Sequence, residues 1–315
     1  MHRIRIEAIR EAMGVIDPVF LRTPQFVAES LSRIIGCRIV VKVEVANPIR
    51  CFKGRGSDYV TSKLPEGARL ITASAGNLGQ AMAYSCRRRR QKLTVYASTR
   101  ANPLKIERMR EFGAEVVLHG NDFDDAKIEA KRVAAHDGIR MVEDSLDVET
   151  GEGAGTIGLE LAEFPERIDA ALIAFGNGAL ACGIGRYLKH AHPQTRVVAV
   201  QAQGAPAMIE SWRERRIVRY ETAPTIADGM AIRIPIPECV SDMDGVIDEG
   251  VLVDDPTIIR AMRLLHEHLG LVIEPSGAVG LAALLADPKK YHGATVAIVL
   301  CGGNITAEQA AKWLS

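Results

Sequence analysis

The order of apolar runs predicts an α/β protein of two lobes, each with a mainly parallel sheet flanked by helices. Three observations carry this. Strand-like runs alternate with helical spacing from residue 69 to residue 135. A second such rhythm runs from 155 to 201, and its strands are nearly all apolar, as strands covered on both faces must be. At 47% hydrophobic and 25% charged over 315 residues, the chain also has the apolar surface that a core of this size needs.

Apolar residues at helical spacing cover 6–14 and 26–35, ahead of a strand at 38–44. A helix is predicted from just after Lys53 to Ser62. The first rhythm reads strand 69–72, helix 77–89, strand 93–97, helix 104–112, strand 115–118 and helix 122–135. The second reads helix 155–163, strand 170–175, helix 181–190 and strand 196–201. Residues 216–240, richer in proline and without clear period, are expected to cross irregularly. Helices 257–269 and 276–286, strand 295–300 and a last helix to Trp313 close the chain.

Charge and cysteine usage exclude several classes. Lys plus Arg and Asp plus Glu both count 39, so no global field recruits nucleic acid or an anionic membrane, and a small neutral or zwitterionic partner is expected. The N-terminus lacks the apolar core of a signal peptide, and no apolar run reaches the roughly 18 residues of a membrane span. The expected location is the cytoplasm. The run Arg87-Arg88-Arg89-Arg90 ends a predicted helix without interleaved aromatics and reads as a solvated face. Cysteines 37, 51, 86, 182, 239 and 301 form no Cys-x-x-Cys pair, and the histidines form no His-Glu-x-x-His, so neither a disulfide framework nor a metal site is expected.

Chemistry centres on residues 47–56, where Lys53 stands behind Phe52 in a glycine-flanked turn. A lysine amine is nucleophilic only when unprotonated, and desolvation beside a second cation, here Arg55, would free its lone pair for a Schiff base. The same residues also describe an ordinary solvated turn. Three loops between strand and helix add to this, since backbone N–H groups point outward there and bind anions. Residues 72–80, with Ser74, Ala75, Gly76 and Asn77, read either as a carboxylate site with Asn77 on a ring hydroxyl or as a turn whose Ser or Asn caps the next helix. Residues 175–180 can wrap a phosphate. No Lys-Ser or Lys-Thr follows, Ala181 stands at the third glycine position of a dinucleotide fingerprint, and no acidic ribose ligand lies at the expected distance. A monophosphate therefore fits better than a dinucleotide, and a nicotinamide dehydrogenase is a distant alternative. Residues 300–304 bring Cys301 to a ligand edge, or leave it a buried inert thiol.

Further motifs follow in order: Gly151-Glu152-Gly153-Ala154-Gly155-Thr156-Ile157, Thr225-Ile226-Ala227-Asp228-Gly229 and Glu274-Pro275-Ser276-Gly277-Ala278. With the stretches at Lys53, Ser74, Gly176 and Cys301, they make nearly the whole chain resemble the fold-type II pyridoxal 5'-phosphate enzymes, and among these the serine/threonine dehydratases, or threonine ammonia-lyases. The resemblance implies a tryptophan synthase β-like architecture, with residues 1–68 and 148–315 as a large cofactor-binding domain and 69–147 as a small mobile one. It implies Lys53 as the internal Schiff base, Phe52 beside the pyridine ring, Asn77 on the ring hydroxyl and Cys301 facing the ring nitrogen. Gly176, Asn177, Gly178, Ala179 and Leu180 would hold the cofactor phosphate, Gly229 would line the cofactor site, and Ser74, Ala75, Gly76 and Asn77 would hold a substrate carboxylate. The reaction implied is β-elimination of water from a small β-hydroxy amino acid of the L-threonine or L-serine type, giving a 2-oxo acid and ammonia. Lys53 would take the Cα proton, and the cofactor phosphate is the candidate proton donor. A neutral thiol at Cys301 offers the ring nitrogen only a weak hydrogen bond, which favours loss of a β leaving group over transamination.

Departures from the family pattern narrow this. Ala75 stands where racemases carry a serine base, which argues against racemisation. Gln201 and Ala207 stand where some relatives place carboxylates for a divalent cation, so no strong site is expected there. Leu78 and Cys51 replace a His and a Ser near the expected substrate pocket and leave the substrate side chain open. Arg50 suits a second carboxylate, as in 3-hydroxyaspartate, and reads equally as a solvated arginine. A β-replacement synthase, a 3-hydroxyaspartate dehydratase and a catalytically silent cofactor-binding protein remain as alternatives. The family implies a homodimer. Biosynthetic relatives continue into a regulatory domain where this chain stops, so feedback control is not expected.

Overall fold

Two sheets with parallel cores organise the chain, whose computed structural model describes residues 2–101 and 103–315. The N-terminal part runs α1 (Ile6–Val15), β1 (Gln25–Val27), α2 (Glu29–Ile35), β2 (Arg38–Val43) and α3 (Lys53–Ser62). A βα succession follows: β3 (Arg69–Ala73), α4 (Asn77–Arg88), β4 (Lys92–Ala97), α5 (Pro103–Glu111), β5 (Glu115–Leu118), α6 (Phe123–Asp137) and β6 (Arg140–Val142). Then come α7 (Val148–Ala162), β7 (Ala170–Ala174), α8 (Ala179–Ala191), β8 (Arg196–Ala202), α9 (Ala207–Glu214), α10 (Pro237–Ser241) and β9 (Glu249–Val253). The last elements are α11 (Asp255–Leu269), α12 (Pro275–Ala286), β10 (Thr295–Leu300) and α13 (Ala307–Leu314).

The larger sheet has the order β1-β2-β10-β7-β8-β9, parallel except for β1. The smaller has the order β5-β4-β3-β6 and is parallel throughout. Every residue of β7 is buried, as are 197–202 of β8 and 296–300 of β10, which is why these strands read as apolar runs rather than alternating ones. Among the described residues no helix is long and apolar enough to cross a membrane.

The structure differs from the sequence reading in several places. Residues 25–27 are not helix but pair antiparallel with 40–42, because Pro24 O takes the Val43 N–H and Ala28 N–H bonds Ile39 O. Helix α7 starts at Val148 rather than near 155, with glycines 151, 153 and 155 inside it. A Cβ on Gly153 would come within 2.6 Å of Arg55 O and Gly56 Cα, so the glycines let α3 and α7 touch backbone to backbone. Strands β6 and β9 and helix α9 went unread. Residues 216–240 are irregular as expected, apart from a 3₁₀ turn at Asp228–Met230 and the short α10.

The arginine run is a solvated face at Arg87, Arg88 and Arg90, which are exposed, but it is not free of partners. Arg88 pairs with Asp17 at 2.8 Å, and Arg89 donates twice to the buried Asp58, at 2.9 and 3.1 Å. Nor is Arg55 a neighbour that tunes Lys53. It is fully buried and donates to Glu44 at 2.8 Å twice and to Glu160 at 2.6 and 3.0 Å, with Lys42 completing a cluster of two cations and two carboxylates.

Candidate active site

Lys53 is the first residue of α3, delivered by a turn that the sequence builds from Asn47. The Asn47 side chain accepts from Ile49 N at 3.1 Å and donates to Glu44 O at 2.8 Å and Cys51 O at 3.1 Å. Arg50 adopts φ 54°, and its carbonyl accepts from Gly303 N at 2.9 Å, while Phe52 N donates to Cys301 O at 2.9 Å. The turn before Lys53 is thereby stitched to the loop after β10. Nζ of Lys53 lies 4.6 Å from the centre of the Phe52 ring and 2.7 Å from both carboxylate oxygens of Asp144. Asp144 was not singled out from the sequence. Its signal is the one that marked the other loops, a short segment between a strand and a helix, which becomes visible once 140–142 is read as strand β6.

The loop after β3 does two things at once. Ser74 Oγ accepts from Gly76 N and Gly79 N, both at 3.1 Å, so the hydroxyl caps α4. Asn77, the first residue of α4, donates to Glu274 Oε1 at 2.8 Å and accepts from Asn304 Nδ2 at 2.9 Å. Asn304 N donates to the other Glu274 oxygen at 3.0 Å, and Arg108 from α5 donates to Asn304 Oδ1 at 3.0 Å. Lys105, one turn earlier on α5, bonds Asp228 at 2.9 Å. Burial, with Asp228 adding like charge, raises the Glu274 carboxyl to about 7 against donation from Asn304 and Asn77. Leu78 and Cys51 are buried packing residues. Leu78 sits in the apolar cluster of the smaller sheet, and burial pushes the Cys51 thiol up to about 12.

The glycine loop after β7 turns at Gly178, whose φ of 110° a side chain would strain, and α8 begins at once with Ala179. Ala179 and Leu180, expected in the loop, therefore form the first helical turn, whose N–H groups have no partner within the helix. Ala179 N donates to Ser145 Oγ at 2.9 Å, which joins the Asp144 loop to this one. A Cβ on Gly176 would meet Gly229 O at 2.8 Å, so these two backbones close against each other. Cys301 is buried, with Sγ 3.7 Å from Ser276 O, and burial pushes its thiol up.

A model of the family described as pyridoxal-phosphate dependent enzyme matches residues 16–302. The chain belongs to the pyridoxal-phosphate-dependent enzymes. Its relatives place it in the threonine dehydratase group. It is 34% identical over 305 residues to L-threonine ammonia-lyase of Thermotoga maritima, covering 96% of this chain and 76% of that one. Serine racemase of Oryza sativa is 28% identical over 313 residues, covering 95% and 91%. Among solved structures, maize serine racemase superposes with a TM-score of 0.91 at 27% identity, covering 98% and 95%. The processed form of threonine deaminase isoform 2 from Solanum lycopersicum superposes with 0.90 at 28% identity, covering 98% and 88%.

The residues fit pyridoxal phosphate, the family's cofactor. Among the described residues Ser276 Oγ is buried without a hydrogen-bond partner, and a Cβ on Gly229 would come within 2.9 Å of it, while the Ser276 carbonyl lies 3.7 Å from Cys301 Sγ. The N-terminus of α8 and the turn at Gly178 offer N–H groups to a phosphate.

Proposed function

We propose that this pyridoxal-phosphate-dependent lyase eliminates water from a small β-hydroxy amino acid of the L-threonine or L-serine type, releasing a 2-oxo acid and ammonia. The observation that carries the reading is the linking of five strand ends by direct hydrogen bonds. The loops after β2 and β10 join through Phe52 and Cys301, those after β3 and β10 through Asn77 and Asn304, and those after β6 and β7 through Ser145 and Ala179. Lys53 closes the set by pairing with Asp144 after β6. Ligands of open parallel sheets bind at such carboxyl ends.

Bound pyridoxal phosphate draws electrons from the substrate's α-carbon and makes its proton removable. In our reading Lys53 carries the cofactor and its Nζ takes that proton, while Phe52 lies along the ring. The backbone from Ser74 to Asn77 holds the substrate carboxylate and the Asn77 side chain the ring hydroxyl. Residues Gly176 to Leu180, with Gly229, hold the phosphate. Cys301, whose thiol burial pushes up, would offer the ring nitrogen only a weak donor, which would favour loss of a β leaving group over transamination. Ala75 supplies no second base, which favours elimination over the racemisation named for some relatives. Residues 69–147 act as the mobile domain, and Lys105 with Asp228 and Arg108 with Asn304 are the contacts that close it. A second copy of the chain is the partner, and the cytoplasm the setting.

The test is incubation of the loaded protein with L-serine or L-threonine, with and without a thiol. Equal release of 2-oxo acid and ammonia is expected in both. A thioether product in place of the 2-oxo acid would make the protein a β-replacement synthase.

A further inference from the structure

Among the described residues the hydrogen-bond partner of the Asp144 carboxylate is Lys53, whose Nζ lies 2.7 Å from both oxygens. The carboxylate is partly open, with 19% of its side-chain surface exposed. Its loop is rigidly framed. Ser145 holds φ 66°, a conformation that costs free energy for a residue with a Cβ. Ser145 N donates to Thr150 Oγ1 at 2.9 Å, and Arg3 reaches across to donate to Ser145 O and Leu146 O, each at 3.0 Å. Asp144 is therefore aimed at Lys53 by its surroundings.

This rests on the reading of Lys53 as the reacting lysine. When Nζ turns to cofactor and substrate, Asp144 loses its protein donor, and a half-buried anion then takes the strongest donor the site admits. A group one hydrogen bond from the amine that removes the α-proton is also within reach of the substituent on the next carbon. We infer that Asp144 selects the β-substituent: it accepts a hydrogen bond from a β-hydroxyl or β-ammonium group and repels a carboxylate carried on Cβ. The substrate class is thus a 2-amino acid with a neutral or cationic donor on Cβ. A β-ammonium group also balances without a further acid. The α-proton passes to Nζ of Lys53, the C–H electrons become the second Cα–Cβ bond, and the Cβ–N pair departs with ammonia. 3-Hydroxyaspartate, for which Arg50 is the candidate partner, falls outside the class; Arg50 joins the site through its backbone bonds to Asn47 and Gly303.

The test compares loaded wild type and Asp144→Asn on L-serine, L-2,3-diaminopropionate and L-3-hydroxyaspartate. It reads kcat/KM from 2-oxo acid release and binding from the change in cofactor absorbance on mixing. Wild type is expected to favour serine and diaminopropionate. Asp144→Asn should lower kcat/KM for diaminopropionate by about ten- to a hundredfold, the range of a charged hydrogen bond, with a smaller loss for serine and tighter binding of hydroxyaspartate. Asp144→Glu, which keeps the charge, should keep the wild-type order, and it decides the matter if the Asn variant does not load. An equal loss on all three substrates, or a wild-type preference for hydroxyaspartate, overturns the inference. The reading of Lys53 is checked separately by borohydride reduction and peptide mapping. Label away from Lys53 sinks that reading, whereas label on Lys53 with an unchanged order in Asp144→Asn sinks only this one.

Discussion

Burial of Glu274 lifts its carboxyl from an ordinary 4.5 to about 7, and this has a sign that can be measured. A carboxyl that titrates higher in the fold than in the unfolded chain binds its proton more tightly when folded. Its contribution is full below about pH 4.5 and is lost as pH rises through 7. The loss amounts to about 3 kcal/mol at most. We expect urea unfolding of the protein to give falling stability from pH 5 to pH 8, and Glu274→Gln to remove that part of the slope. An identical slope in the variant would mean that Glu274 ionises freely. Lys53 stood out because a lysine between an aromatic and glycines at a strand-to-helix turn is a local pattern, and it is the first residue of α3. Glu274 stood only as the first residue of a motif and Asp144 not at all, because what a carboxylate does depends on the loop it meets, and Lys53 is 91 positions from Asp144 in the chain.

Glycines decide how the helices around the site pack. A Cβ on Gly153 would lie 2.6 Å from backbone atoms of α3, and one on Gly183 would lie 2.2 Å from Gly151 O, so α3, α7 and α8 approach at their backbones. Gly153→Ala must therefore push α3, the helix that begins with Lys53, and should cost about 1–3 kcal/mol. Gly14→Ala in α1 meets nothing within 4 Å and serves as the control, expected to be neutral or to stabilise by up to about 1 kcal/mol. Equal shifts in the unfolding midpoint of the two variants would contradict the close-contact account. The same glycines hid the first two turns of α7 from the sequence reading, since a local pattern scores them as breakers and only the neighbouring helix makes them necessary. Arg55 misled for a related reason. Beside Lys53 in sequence, it turns to Glu44 and Glu160 instead, and no local rule announces a buried four-charge cluster.

At the scale of the molecule, the alternation of strands and helices was readable because parallel strands buried on both faces are apolar throughout. Strand order was not. The last strand, β10, inserts between β2 and β7, a pairing that depends on which edges remain open after the chain has gone round. That insertion sets the Cys301 loop against the turn that delivers Lys53, so the order of the large sheet is what assembles the candidate site. Contacts between the two sheets' layers, Lys105 with Asp228 and Arg108 with Asn304, then bring the loop after β3 over it. All of this converges on one lysine. The most direct measurement is therefore borohydride reduction of the loaded protein followed by peptide mapping, paired with 2-oxo acid release by Lys53→Ala. The expected result is cofactor label on Lys53 and loss of turnover in the variant. Label on another residue, or turnover that survives Lys53→Ala, would contradict the account.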